Sequence, residues 1–252
     1  MDRVIYTAMS GARQSLERQA VISNNLANVA TSGFREQLLA MRAVPVQGAG
    51  AYDTRTSVAA STPGANMMSG PVQYTGRALD VAMLDNAWLA VTGSDGQEAY
   101  TRRGDLQIDG EGFLRSAGRQ VLGEGGPIQV PLGAQLFIAD DGTLSSLGEG
   151  ENPDSIAQLG RLKLVDASEV DLVRTEEGLF RQAPDADGNS AALPAAELAR
   201  VATGSLEGSN VSAVQGMVEM IANARLYEMQ MQVVKSTEEN DQRATSLLSI
   251  NN

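Results

Sequence analysis

Residues 213–234 read AVQGMVEMIANARLYEMQMQVV. Within them Ala213, Met217, Met220, Ala224, Tyr227, Met231 and Val234 recur at alternating spacings of four and three. That is the heptad seam of a helix that packs along another helix. Glu238 and Asp241 interrupt the seam, and Thr245 and Leu248 resume it. The other end of the chain carries a looser stripe of Ile5, Ala8, Met9, Ala12, Leu16, Ile22, Leu26 and Val29. A helix striped on one face must bury that face. With both ends striped, the natural partners are each other or the same helices of other copies.

The N-terminal helix is expected to start near Asp2, whose carboxylate suits free amides and the helix dipole. It is expected to end near Thr31-Ser32-Gly33, where glycine can take the left-handed conformation. About 30 residues at ~1.5 Å each span ~45 Å, long for a globular helix and ordinary for a coiled-coil arm. Ser209 or Asn210 is the expected cap of the C-terminal helix.

Between the helices the signals change. Pro45, Gly48, Gly50, Pro63, Gly64, Gly70 and Pro71 break regular structure and predict an extended, partly strand-like connector. From Val72 to Val201 short alternating runs flank Asp95-Gly96, Asp109-Gly110 and Asp141-Gly142, the signature of hairpins. Residues 161–165 read as one further alternating strand. The expected organisation is an N-terminal helix over 1–34, a connector over 35–71, an antiparallel β-rich domain over 72–200 and a C-terminal helix over 201–252. The fold class is α+β, with the terminal helices pairing as a coiled-coil-like layer.

Composition narrows the function. The net charge of −12 opposes binding to nucleic acid and electrostatic docking on anionic lipid. The chain has no Cys and no His. That removes disulfides, thiol nucleophiles and the commonest general base and transition-metal ligand, and it lowers the case for a hydrolase or zinc enzyme. No continuous apolar run suggests a cleavable secretory signal or a membrane span. Asp185, Asp187 and Asn189 imitate the start of a calcium loop, but Ser190 replaces the turn glycine and Ala196 the bidentate acid. Gly123-Glu124-Gly125-Gly126 runs into Pro127 and reads as a turn. No catalytic, cofactor or metal residues are assigned.

Three segments carry a resemblance. Residues 23–35, SNNLANVATSGFR, resemble the N-terminal signature of the bacterial flagellar rod and hook proteins. Residues 204–211, GSLEGSNV, followed by Met220-Ile221 and Arg225-Leu226-Tyr227-Glu228, resemble their C-terminal signature. Residues 100–104, YTRRG, with Asp109-Gly110-Glu111-Gly112 and Val121-Leu122-Gly123, resemble their shared β-domain. The opening residues, the run 42–46, Ser61-Thr62-Pro63-Gly64-Ala65 and the Met229 that follows Tyr227-Glu228 are most similar to a proximal-rod member.

The resemblance implies a structural subunit of the basal-body proximal rod, exported by the flagellar type III apparatus and assembled through its terminal helices into a hollow axial drive-shaft. It implies a place in the rod where it crosses the periplasm. The implied partners are other copies, other proximal and distal rod subunits and the export apparatus, with no nucleic acid and no direct membrane insertion. The alternatives are a distal-rod protein of the same family, a β-domain binding module dimerised by its coiled coil, and an enzyme using carboxylates.

The stripes and the resemblance together assign subunit contacts to Ile5, Met9, Ala12, Leu16, Ile22 and Leu26, and to Asn24, Asn25, Asn28, Gly33 and Phe34. In the C-terminal part they assign Asn210, Val214, Met217, Met220, Ile221, Ala224, Tyr227, Met231, Val234 and Leu248. The asparagines are poor helix formers, and their amides suit register-fixing contacts better than helix propensity does. A plain solvated face for the asparagines and plain core filling for the methionines are the competing readings.

Overall fold

In the computed structural model, helix α1 (Asp2–Ala27) and helix α2 (Ala213–Ser249) pack along each other. The structure describes residues 2–45, 56–148, 150, 152, 155–184 and 190–249, with the backbone alone for 2, 3, 40–45, 56–63, 244, 245 and 247–249. The chain forms two compact units: Met1–Asn28, Gln37–Pro63 and Val211–Asn252 make one, and Val29–Glu36 with Gly64–Asn210 make the other.

In the first unit the seam of α1 is Ile5, Ala8, Ala12, Ser15, Gln19, Ile22 and Leu26, all buried or half-buried at alternating spacings of three and four. The facing line of α2 is Met220, Asn223, Tyr227, Gln230, Val234, Thr237 and Asp241. Three of the seven apolar heptad residues read from the sequence therefore lie elsewhere, and Ala213 is half-buried at the start of the helix. Met220, Tyr227 and Val234 face inward, whereas Met217, Ala224 and Met231 are exposed. The physical reason lies in α1, which offers small residues and main-chain carbonyls there. Asn223 Nδ2 donates to Ser15 O at 2.8 Å and to Gln19 Oε1 at 2.9 Å. A Cβ on Gly11 would stand 2.8 Å from Gln230 Nε2, so glycine admits that side chain. Asp241, read from the sequence as an interruption, continues the inward line.

Helix α1 stops at Ala27, earlier than expected. The Asn28 amide donates to both Asn24 O and Asn25 O, and its side chain returns to Asn24 O at 2.9 Å. Asparagine side chains thus compete with the helix for its own carbonyls. The Asn25 carboxamide grips the main chain of Gln37 from both sides, at 2.9 and 3.0 Å. At the start of α2 the cap is Ser212, whose Oγ accepts from the Gln215 amide at 3.4 Å, rather than Ser209 or Asn210. The expected connector contains strands β1 (Gln37–Pro45) and β2 (Thr56–Ala65), paired as a two-stranded sheet. Pro63 lies inside β2, which is tolerated on an edge strand.

The second unit is β-rich. It begins with β3 (Val72–Tyr74), β4 (Val81–Met83), β5 (Ala87–Thr92) and β6 (Glu98–Thr101). Short strands follow: β7 (Leu106–Ile108), β8 (Leu114–Ser116), β9 (Arg119–Gln120), β10 (Leu122–Gly123) and β11 (Gly126–Pro127). Then come β12 (Gln135–Ile138), β13 (Thr143–Leu147), β14 (Ala157–Arg161), β15 (Leu164–Asp166), β16 (Leu172–Arg174) and β17 (Phe180–Gln182). The unit ends with β18 (Val201–Thr203) and β19 (Ser205–Glu207). Its largest sheet has the order β15-β5-β6-β17-β16.

The three Asp-Gly segments join β5 to β6, β7 to β8 and β12 to β13, each pair antiparallel. Residues 161–165 are not one strand, because β14 pairs with β13 while β15 pairs with β5. The chain changes sheets at Leu162, a fully buried core residue. Two apolar cores result. One gathers Leu89, Leu106, Leu114, Leu144 and Leu162, and the other holds Trp88, Tyr100 and Phe180. Antiparallel pairs β3–β19 and β4–β18 bring the two ends of the unit together. The calcium-like Asp185, Asp187 and Asn189 lie outside the described residues.

Candidate assembly surface

The helical unit turns its bulk outward. Leu16 and Ile221 are each 56% exposed, Val214 71% and Tyr6 72%. Met9, Met217, Val218, Met229 and Met231 are exposed as well. The line between the helices mixes small or polar residues, Ala12, Ser15, Asn223 and Thr237, with the buried Ile22 and the half-buried Ile5, Leu26, Met220, Tyr227 and Val234. Gln14 Oε1, Asn223 Oδ1 and Gln230 Oε1 are buried with no hydrogen-bond partner among the described residues. A helix normally buries one apolar stripe and turns charge outward, whereas here apolar side chains occupy the outer surface as well.

The residues assigned from the sequence divide accordingly. Ala12 and Ile22 are buried between the helices, and Ile5, Leu26, Met220, Tyr227 and Val234 are half-buried. Met9, Leu16, Asn24, Val214, Met217, Ile221, Ala224 and Met231 are exposed on the helical unit. Asn25 holds Gln37, and Asn28 closes the end of α1. Of Leu248 the side chain lies outside the described residues.

Gly33, Phe34 and Asn210 sit in the β-rich unit. Gly33 has φ +65, and a Cβ there would overlap the main chain of Arg102. Phe34 carries the guanidinium of Arg174 over its ring at 4.8 Å, and burial lowers the Arg174 pKa. Asn210 Oδ1 accepts from the Glu36 amide at 2.7 Å, and its Nδ2 donates to Asn66 O and Met68 O, each at 2.8 Å.

The residue patterns alone do not reveal a buried ionic cluster beside Gly33. The carboxylate of Glu207 accepts from Arg35 Nη1 at 2.6 Å, from Arg102 Nε at 2.7 Å and from the Gly70 amide at 2.9 Å. Glu207, Arg35 and Arg102 are 1%, 2% and 3% exposed. Both guanidiniums lie over the Trp88 ring, at 5.7 and 5.8 Å. Burial lowers the Arg102 pKa against the pull of Glu207. Arg102 also donates to the carbonyl oxygens of Met83, Asp85 and Ala87. The available signal is that each of the three resembling segments contributes one of these charges: Arg35, Arg102 and Glu207.

The Glu207 carboxylate is engaged by three donors, and among the described residues no group of three or more His, Cys, Asp or Glu is placed to hold a metal. No helix among them is long and apolar enough to cross a membrane.

Family models match along the chain in the same order as the elements. Residues 5–35 match the model described as flagella basal body rod protein. Residues 82–146 match the flagellar hook protein FlgE/F/G D1 domain, and residues 202–247 the flagellar basal body rod FlgEFG protein C-terminal model. The flagellar basal-body rod protein FlgF of Salmonella typhimurium is 51% identical over 251 residues, covering 99% of this chain and 100% of that protein. FlgF of Escherichia coli K12 is 50% identical over the same extent. The rod protein FlgG of Bacillus subtilis is 29% identical over 258 residues, 95% of this chain and 96% of its own length. Two striped terminal helices around a β-rich unit, with these matches, define a structural subunit of the bacterial flagellar basal-body rod, and the chain belongs to that family. Within the family it is FlgF-like.

Proposed function

We propose that the chain is a subunit of the proximal rod, and that its terminal helices form a coiled-coil-like inner layer of a hollow axial drive-shaft. The observation that carries this reading is the apolar surface that the helix pair leaves exposed. Large apolar side chains such as Leu16, Val214 and Ile221 are exposed, and polar Ser15 and Asn223 take part of the seam between the two helices. Each such side chain gains about 1.5–3 kcal/mol when fully buried, and neighbouring helices supply the surface. Buried acceptors without partners cost about 1–3 kcal/mol each, so the pair is weak alone. Folding of the ends is therefore coupled to association. Contacts that do not close on themselves then wind several copies about one axis.

On this reading the chain leaves the cytoplasm through the flagellar type III apparatus without a cleavable signal and takes its place where the rod crosses the periplasm. Its partners are further copies, the proximal and distal rod subunits and the export apparatus. It has no catalytic role. Deletion of residues 1–30 tests the reading. The expected result is loss of the chain from purified hook–basal bodies together with loss of motility. Retention of the truncated chain in intact basal bodies would sink it.

A further inference from the structure

Glu207 is a meeting point for segments far apart in the chain. Its partner Arg35 lies 172 positions earlier and its partner Arg102 105 positions earlier. The two arginines are not held alike. Arg102 is fixed independently, because its terminal nitrogens reach carbonyls on either side of the turn before β5. Arg35 depends on Glu207. Its guanidinium donates through Nη1 to that carboxylate, and its buried Nε has no partner among the described residues.

The main chain around Arg35 is held partly from elsewhere, by the Asn66 amide on Glu36 O at 2.8 Å and Arg174 Nη1 on Arg35 O at 3.5 Å, but its closest tie runs to residues 205–210. The Gly33 amide donates to Glu207 O at 2.7 Å, the Glu36 amide to Asn210 Oδ1 at 2.7 Å, and the Asn210 amide to Phe34 O at 3.3 Å. Two guanidiniums share one carboxylate out of water, so the cluster keeps a positive charge that burial disfavours. Without Glu207 in place, docking of Arg35 would bury its charge beside that of Arg102 uncompensated.

We infer that residues 29–36 are a strap that closes onto the β-rich unit only after residues 205–210 have joined it, with Glu207 as the latch and Arg35 as the bolt. The N-terminal signature Gly33-Phe34-Arg35 then takes its native conformation after residues 205–210, although it precedes them in the chain. A chain lacking its C-terminal part would keep this segment open. The inference stands on contacts inside one unit and does not depend on the rod reading.

Limited trypsin digestion of the full chain tests it, because Arg35 is itself a cleavage site that closure hides. In Glu207→Gln, cleavage after Arg35 is expected to accelerate at least tenfold while Arg102 stays protected. A smaller change in a chain whose Arg102 is still protected would overturn the latch. Should Glu207→Gln fail to fold, native-state hydrogen exchange of the unsubstituted chain in rising urea decides the same point. The 29–36 amides are expected to open at the same urea concentration as the 205–210 amides or at a lower one. Protection of 29–36 that outlasts that of 205–210 would overturn the inference.

Discussion

The side-chain amide of Asn223 donates across the helix pair to the main-chain carbonyl of Ser15, at 2.8 Å. A carbonyl inside a helix already serves its own turn, so this bond reads the backbone of α1 at one point along its length. With the second bond to Gln19 Oε1 it sets the alignment of the two helices, as a polar residue in a coiled-coil seam does. Asn223→Ala is expected to cost the helix pair about 1–3 kcal/mol, the range for breaking a buried polar contact. Thermal melting followed by far-ultraviolet circular dichroism measures this. An unchanged melt would show that the contact does not hold the pair.

The outward residues make the opposite prediction. Met217→Ser with Ile221→Ser removes apolar surface that is exposed in the single chain, and exposed substitutions typically change stability by less than about 0.5 kcal/mol each. The doubly substituted chain should melt like the original and yet be depleted from purified hook–basal bodies. Full incorporation would mean that this face is not a subunit contact.

Gly33 tests the β-rich unit. Its left-handed conformation costs a residue with a Cβ about 1–2 kcal/mol, and the added carbon would also meet the main chain of Arg102. Gly33→Ala should therefore lower stability by at least about 1–2 kcal/mol in a urea titration. Trp88, the single tryptophan, lies under both Arg35 and Arg102 and reports the loss. An unshifted midpoint would contradict the packing described for this glycine.

Acid sensitivity has a specific source. The Arg181 guanidinium, at 2.6 Å, and the Gln97 amide hold the Asp95 carboxyl down to about 2. A carboxyl depressed in the folded state stabilises fully above its unfolded pKa of about 3.9 and loses that contribution as pH falls towards 2. Asp109, held by Arg115, and Asp141, held by the Thr143 amide, shift in the same direction. Melting temperature should therefore fall between about pH 4 and pH 2, and Asp95→Asn should flatten part of that fall. An identical acid profile in the substituted chain would remove Asp95 from the account.

Much of this architecture is legible from residue order. Apolar periodicity places both helices, and Asp-Gly turns place three hairpins in the β-rich unit. The seam of α2 is only half legible. Asn223, Gln230 and Thr237 look like surface residues by type, yet they face α1 because its small side chains and carbonyls suit them. Leu162 illustrates a different limit. Alternation shows that residues 161–165 are extended, but not that the chain leaves one sheet for another there. The Glu207 cluster is a third case, because no local pattern reveals that charges 172 and 105 positions apart share one buried carboxylate.

The absence of cysteine from the chain permits a direct test of the central claim that the exposed apolar face of the terminal helices is buried in the rod. A chain carrying Ile221→Cys can be treated with a water-soluble maleimide, once as the free protein and once within purified hook–basal bodies. Leu132→Cys, on the exposed surface of the β-rich unit, serves as a second position. The predicted result is rapid labelling of Ile221→Cys in the free chain and protection of it in the basal body. Equal labelling of Ile221→Cys in both states would contradict the account.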